Sequence, residues 1–109
     1  MNSEAFRQLS LSFPEATEQP HFERNSFRVR KKIFATFDAK SRQVTLKLNE
    51  VDQSVFSAYN TEIIHPVPNK WGKQGWTIFH ITQLPDEMMQ DALTCAFKQV
   101  APKTLAAQV

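Results

Sequence analysis

One cysteine and two glycines among 109 residues remove several classes of protein at once. Cys95 alone can form neither an intramolecular disulfide nor a paired-cysteine metal clamp, and a reducing cytoplasm is the expected compartment. Two glycines cannot build a Walker loop or a dinucleotide-binding fingerprint, so no nucleotide cofactor is expected. No stretch of about 18 apolar residues occurs, which argues against a membrane span. The opening Met1-Asn2-Ser3-Glu4-Ala5-Phe6 lacks the basic-then-apolar order of a secretory signal. His21, His65 and His80 are too far apart for the short spacings of metal ligands, and no metal is expected.

What is present is a core and a concentration of positive charge. A 41% hydrophobic content with nine phenylalanines can support one compact domain, residues 1–109. Between residues 24 and 47 stand eight cations, Arg24, Arg28, Arg30, Lys31, Lys32, Lys40, Arg42 and Lys47, against one anion, Asp38. That is an excess of seven in a chain whose net charge is +2, so the remainder carries five negative charges more than positive. A polarised basic segment attracts phosphate, because neighbouring charges add and bound polyanions release counterions.

The hydrophobic periods give the architecture. Phe6, Leu9 and Phe13 recur at helical spacing after Ser3, a candidate N-cap, and Pro14 ends the helix. From His21 to Leu48 the period shortens to two. Phe27 and Val29 alternate with Arg28 and Arg30, and Val44, Leu46 and Leu48 with Thr45 and Lys47; Ile33 to Phe37 is a more buried strand between them. Lys31-Lys32 and Asp38 to Ser41 are the predicted turns. A helix follows, capped by Asn49, with Val51, Val55, Phe56 and Tyr59 as its apolar stripe. Ile63 to Val67 is an edge strand on account of Pro66 and Pro68. Both glycines shape the loop Asn69 to Gly75, and Trp76 to Ile81 is the last strand, with Trp76 and Ile78 directed inward. Pro85 opens a final helix with Met89, Leu93, Ala96, Phe97 and Val100 inward.

The order α-β-β-β-α-β-β-α predicts an α+β fold: a single antiparallel sheet with helices packed on one face. The other face stays open, and Arg28, Arg30, Thr45 and Lys47 are expected on it.

Several ordered segments carry a resemblance. Ser12-Phe13-Pro14-Glu15, Pro20-His21-Phe22, Ser26-Phe27-Arg28-Val29, Lys32-Ile33-Phe34-Ala35, Val44-Thr45-Leu46-Lys47, Pro68-Asn69-Lys70 and Leu84-Pro85-Asp86-Glu87 together resemble the MmcQ/YjbR family over nearly the whole chain. The resemblance implies a compact fold similar to the frataxin-like CyaY proteins and DNA binding by a proposed double-wing arrangement. It brings no catalytic residues. It implies no iron chemistry, since the first helix offers only Glu4 before Glu15. The loop departs from the family pattern: Trp71 follows Asn69-Lys70 at once, and Gly72, Lys73, Gln74 and Gly75 intervene before Trp76.

Each feature has a bland counterpart. The basic face is either a phosphate-contacting surface formed by Arg28, Arg30, Lys31, Lys32, Arg42 and Lys47, or a solvated face that discourages edge pairing. Trp71 with Lys70 and Lys73 either projects to stack on a base or covers a core edge, whereas Trp76 is expected in the core. Cys95 has no locatable base and is expected as a packed thiol. The expected function is non-catalytic nucleic-acid binding, to DNA and with little sequence preference. The alternative is a protein-interaction or homodimer module using the same face. No small-molecule ligand, membrane partner or cofactor is expected.

Overall fold

The computed structural model describes residues 1–109 and holds six strands in one antiparallel sheet of order β1-β2-β3-β4-β6-β5. The elements run α1 (Ser3–Leu11), β1 (Thr17–His21), β2 (Arg24–Val29), β3 (Lys32–Asp38), β4 (Gln43–Lys47), α2 (Glu50–Ser57), β5 (Ile64–Pro66), α3 (Lys70–Lys73), β6 (Trp76–His80), α4 (Asp86–Val100) and α5 (Lys103–Ala106). The α+β class and the single antiparallel sheet agree with the sequence expectation.

Helix α1 begins one residue earlier than predicted. Asn2, not Ser3, is the cap, and its side-chain oxygen accepts from the Ala5 N–H at 2.8 Å. Phe6 then points at the sheet, edge-on to Phe27 (5.6 Å between ring centres) and tilted against Phe37 (5.8 Å). Phe13 stacks on Phe97 of α4 at 4.7 Å, and Phe34 meets both edge-on. These aromatic contacts join α1, β2, β3 and α4 into one core. Ala92 and Ala96 are fully buried on α4, and such small side chains let the helix lie close to β3 and β4.

Strand β1 was not legible. Its sequence, Thr-Glu-Gln-Pro-His, has no buried residue, so there was no apolar period to detect. It exists through pairing with β2, from Thr17 opposite Arg28 to His21 opposite Arg24. The Ser26 hydroxyl also donates to the Gln19 carbonyl at 2.7 Å. Pro20 is tolerated because β1 is an edge.

The tight turn between β2 and β3 falls at Arg30-Lys31, one residue before the expected Lys31-Lys32. Both have positive φ, 51° and 70°, the twist a two-residue hairpin requires. A register shift between Phe27 and Arg28 brings Phe34 into the core alongside Ala35 and lets Ile33 pair with Arg28.

Two orientations differ from expectation. Along β6 it is Thr77 and Phe79 that are buried, while Trp76 and Ile78 are half-buried on the open face. The core accepts Thr77 because its hydroxyl is satisfied: it donates to the Gly75 carbonyl at 3.0 Å and accepts from the Gln53 amide at 3.0 Å. The second reversal is α2, which turns Gln53 and Phe56 toward the sheet. Phe56 meets Phe79 edge-on at 6.0 Å, and the Gln53 amide also donates to the Gly72 carbonyl at 2.9 Å. Val51, Val55 and Tyr59 are consequently 70%, 63% and 50% exposed.

No helix is long and apolar enough to cross a membrane.

Candidate nucleic-acid interface

Side chains alternate across a strand, so residues paired in register share a face. Thr36 pairs with Thr45, Thr45 with Ile78, and Ile78 with His65, which defines the face left uncovered by α1, α2 and α4. The Thr36 and Thr45 hydroxyls hydrogen-bond to each other at its centre. A groove of about 840 Å³ runs over them. Phe22 and Arg24, at the β1–β2 turn, lie at one end, and Trp71 and Trp76 at the other.

The basic residues divide into three groups. Arg28 and Lys47 are half-buried on the open face. Arg28 Nε donates to the Ser26 hydroxyl at 3.1 Å, which lays the guanidinium along the sheet. The Lys47 ammonium donates to the Gln74 carbonyl and stands 5.8 Å from the Trp76 ring centre. Lys31 and Lys32 are exposed at the neighbouring turn. Lys32 stands opposite the core residue Val29 and so belongs to the other face, contrary to expectation. None of these four cations forms an ion pair with a carboxylate.

Arg30 does not belong to the open face as expected. It forks onto Glu15, Nε to Oε1 at 2.6 Å and Nη2 to Oε2 at 3.0 Å. The Arg30 hydrogen bond and charge hold the Glu15 carboxyl below the usual carboxylate range, and the same pairing raises the guanidinium still further. Arg42 is also apart from the others. It lies beyond Gln43, which pairs with Asp38 at the end of β3 opposite Lys32, beside a small pocket it shares with Asn2, Ser3 and Thr82.

Lys70, Trp71 and Lys73 lie on α3, a single helical turn rather than a projecting loop. The Asn69 side chain caps it by accepting from the Trp71 N–H at 2.8 Å. The glycines hold this turn down. A Cβ on Gly72 would lie 2.0 Å from the Val67 carbonyl oxygen, and one on Gly75, whose φ is 104°, 1.9 Å from that of Leu48. Trp71 is nevertheless 49% exposed, with the Lys70 ammonium 5.8 Å from its ring centre.

Phe22 was missed as a surface feature. It is 91% exposed, with φ of 59° and the His21 ring against it at 4.8 Å. The available signal was a lone aromatic in the polar run Gln19 to Arg24. Near it, Asp38 is held below the ordinary carboxylate range. Partial burial opposes this, but the Lys40 and Ser41 N–H groups, the Ser41 hydroxyl and Arg24 outweigh it.

The three histidines do not converge, although His21 lines the groove beside Phe22. His65 and His80 approach to 5.6 Å between rings, while His21 is on the far edge strand. No group of three or more His, Cys, Asp or Glu side chains is placed to hold a metal ion. Burial pushes the Cys95 thiol up, with Asp52 and Asp91 adding to the effect, so it is a poor nucleophile at neutral pH.

These features define an α+β protein whose antiparallel sheet is covered by helices on one face and carries on the other a groove lined by aromatic side chains, with the unpaired cations Arg28 and Lys47 on the same face. The chain belongs to the YjbR family, whose model matches residues 11–99. Its fold is similar to that in the crystal structure of Deinococcus radiodurans protein DR2400, which carries the domain DUF419; the TM-score is 0.76 at 17% identity, over 88% of this chain and 75% of that one. No curated protein matches the sequence.

Proposed function

We propose that this protein binds nucleic acid, without catalysis, through phosphate contacts at the open sheet face. The observation that carries the reading is that Arg28 and Lys47 lie at one end of that face, with Lys31 at the adjoining turn, and that none of the three has a carboxylate partner, whereas Arg30 is neutralised by Glu15. Unpaired cations on a surface free of helices can contact phosphates without first breaking an ion pair. Lys70 and Lys73 on α3 extend the positive surface beyond Lys47 and Trp76. Arg42, at the opposite end, has no part in this contact. Backbone contact of this kind carries little sequence preference.

The test is fluorescence anisotropy of a labelled random-sequence DNA duplex at several salt concentrations. Binding should weaken steeply with salt. The double variant Arg28→Ala, Lys47→Ala should lower the logarithmic salt slope by about two, about one for each phosphate left without its cation. Absence of binding at low salt rejects the reading. The competing possibility is that Phe22 and Trp71, both exposed beside the groove, anchor a second copy of the chain. A stable dimer by sedimentation that cannot bind DNA would favour it.

A further inference from the structure

We infer that the groove across the open sheet face takes unstacked bases, so that the nucleic acid this protein prefers is single-stranded. The inference rests on the phosphate-binding reading above and adds the chemistry of the bases. A duplex presents its phosphates to a basic surface but keeps the flat faces of its bases stacked inside. A single strand exposes both, and exposed aromatic side chains beside cations suit it because every base has a π-face.

Three aromatic rings line this groove: Phe22 at one end, Trp71 and Trp76 at the other. Phe22 is 91% exposed and Trp71 49%, although burying such rings against the protein would be favourable. The Phe22 backbone is in the left-handed region, φ 59°, a conformation uncommon for a bulky residue. Each tryptophan has an ammonium group 5.8 Å from its ring centre, Lys47 at Trp76 and Lys70 at Trp71. A base stacked on such an indole brings its phosphate within reach of the neighbouring cation. The groove volume of about 840 Å³ lies in the range of drug-sized sites and exceeds the needs of one base. Phe22 precedes β2 and Trp76 begins β6, three strand spacings away in the sheet, about 14 Å, which suits a short run of nucleotides. The Thr36–Thr45 hydroxyl pair on the floor supplies donors and acceptors that any base edge can meet. Glu23 and Asp38 also line the groove near Arg24, which places the phosphate path on the Lys47 and Lys70 side.

The experiment compares three probes of equal length by anisotropy and by quenching of the intrinsic fluorescence of the two tryptophans: oligo-dT, a DNA duplex, and an abasic strand with the same phosphates. Oligo-dT should bind at least about tenfold more tightly than either of the others and quench the fluorescence. Phe22→Ala and Trp71→Ala should each weaken oligo-dT binding about tenfold and leave duplex binding unchanged, with circular dichroism reporting that each variant is folded. Equal binding of oligo-dT and the abasic strand, without quenching, overturns the base-stacking inference and leaves the phosphate reading standing. No binding of any probe at low salt overturns both.

Discussion

Glu15 and Arg30 join two left-handed backbone positions: Glu15 has φ of 58° and Arg30 of 51°, and a two-bond fork at 2.6 and 3.0 Å links their side chains. The chain leaving α1 is thereby tied to the β2–β3 turn. A Glu15 carboxyl held below its unfolded value stabilises the fold above about pH 4.3, the ordinary glutamate value. That stability is lost as pH falls through the lower folded value. Glu15→Gln should therefore unfold at lower urea concentration than the parent at pH 7, with the difference disappearing in acid. High salt should shrink the pH 7 difference, since the pair is exposed.

Gly75→Ala should destabilise strongly. The left-handed backbone alone disfavours alanine by about 1–2 kcal/mol, and the new methyl would meet the Leu48 carbonyl oxygen at 1.9 Å. A loss of at least about 2 kcal/mol in urea denaturation is expected. Because Gly75 shapes the connection between α3 and β6, Trp71 and Trp76 should also change their fluorescence.

Phe97→Ala should cost about 3–5 kcal/mol. Phe97 is fully buried, stacked on Phe13 and meeting Phe34 edge-on, so its removal opens a cavity where α1, β3 and α4 meet. The urea midpoint should fall with little change in slope.

Thr36 and Thr45 should behave as a pair. Thr36→Val alone leaves the Thr45 hydroxyl without its partner and is expected to cost about 1–3 kcal/mol, whereas Thr36→Val with Thr45→Val should cost less than the single change. A double-mutant cycle in thermal or urea unfolding checks this. The two changes adding independently would show that the hydroxyls do not depend on one another.

Cys95 should react slowly with a thiol reagent at pH 8 in the folded protein and quickly in urea. Desolvation raises the thiol, and Asp52 and Asp91 disfavour the thiolate further. Equal rates in the two states would contradict this.

Features that depend on neighbours along the chain were legible in the amino-acid order alone. The helical spacing of Phe6 and Leu9, the alternation around Phe27 and Val44, the Asn49 cap and the basic run from Arg24 to Lys47 are all local patterns, and all correspond to observed elements or charges, whereas Phe13, expected on the same helix, lies beyond its end at Leu11. Folding settled what needs partners from elsewhere. Edge strand β1 has no buried face and forms only against β2. Trp76 and Thr77 alternate whichever one is buried, and their order was set by Gln53 and the Gly75 carbonyl satisfying the threonine hydroxyl. Helix α2 likewise turned its polar Gln53 inward to reach the Gly72 carbonyl and left Val51, Val55 and Tyr59 outside. Arg30 was withdrawn from the open face by Glu15, and Arg42 was carried to the far end by strand register. Periodicity records which residues share a face. It does not record which face meets the core, because that depends on hydrogen-bond partners and charges brought near only by folding.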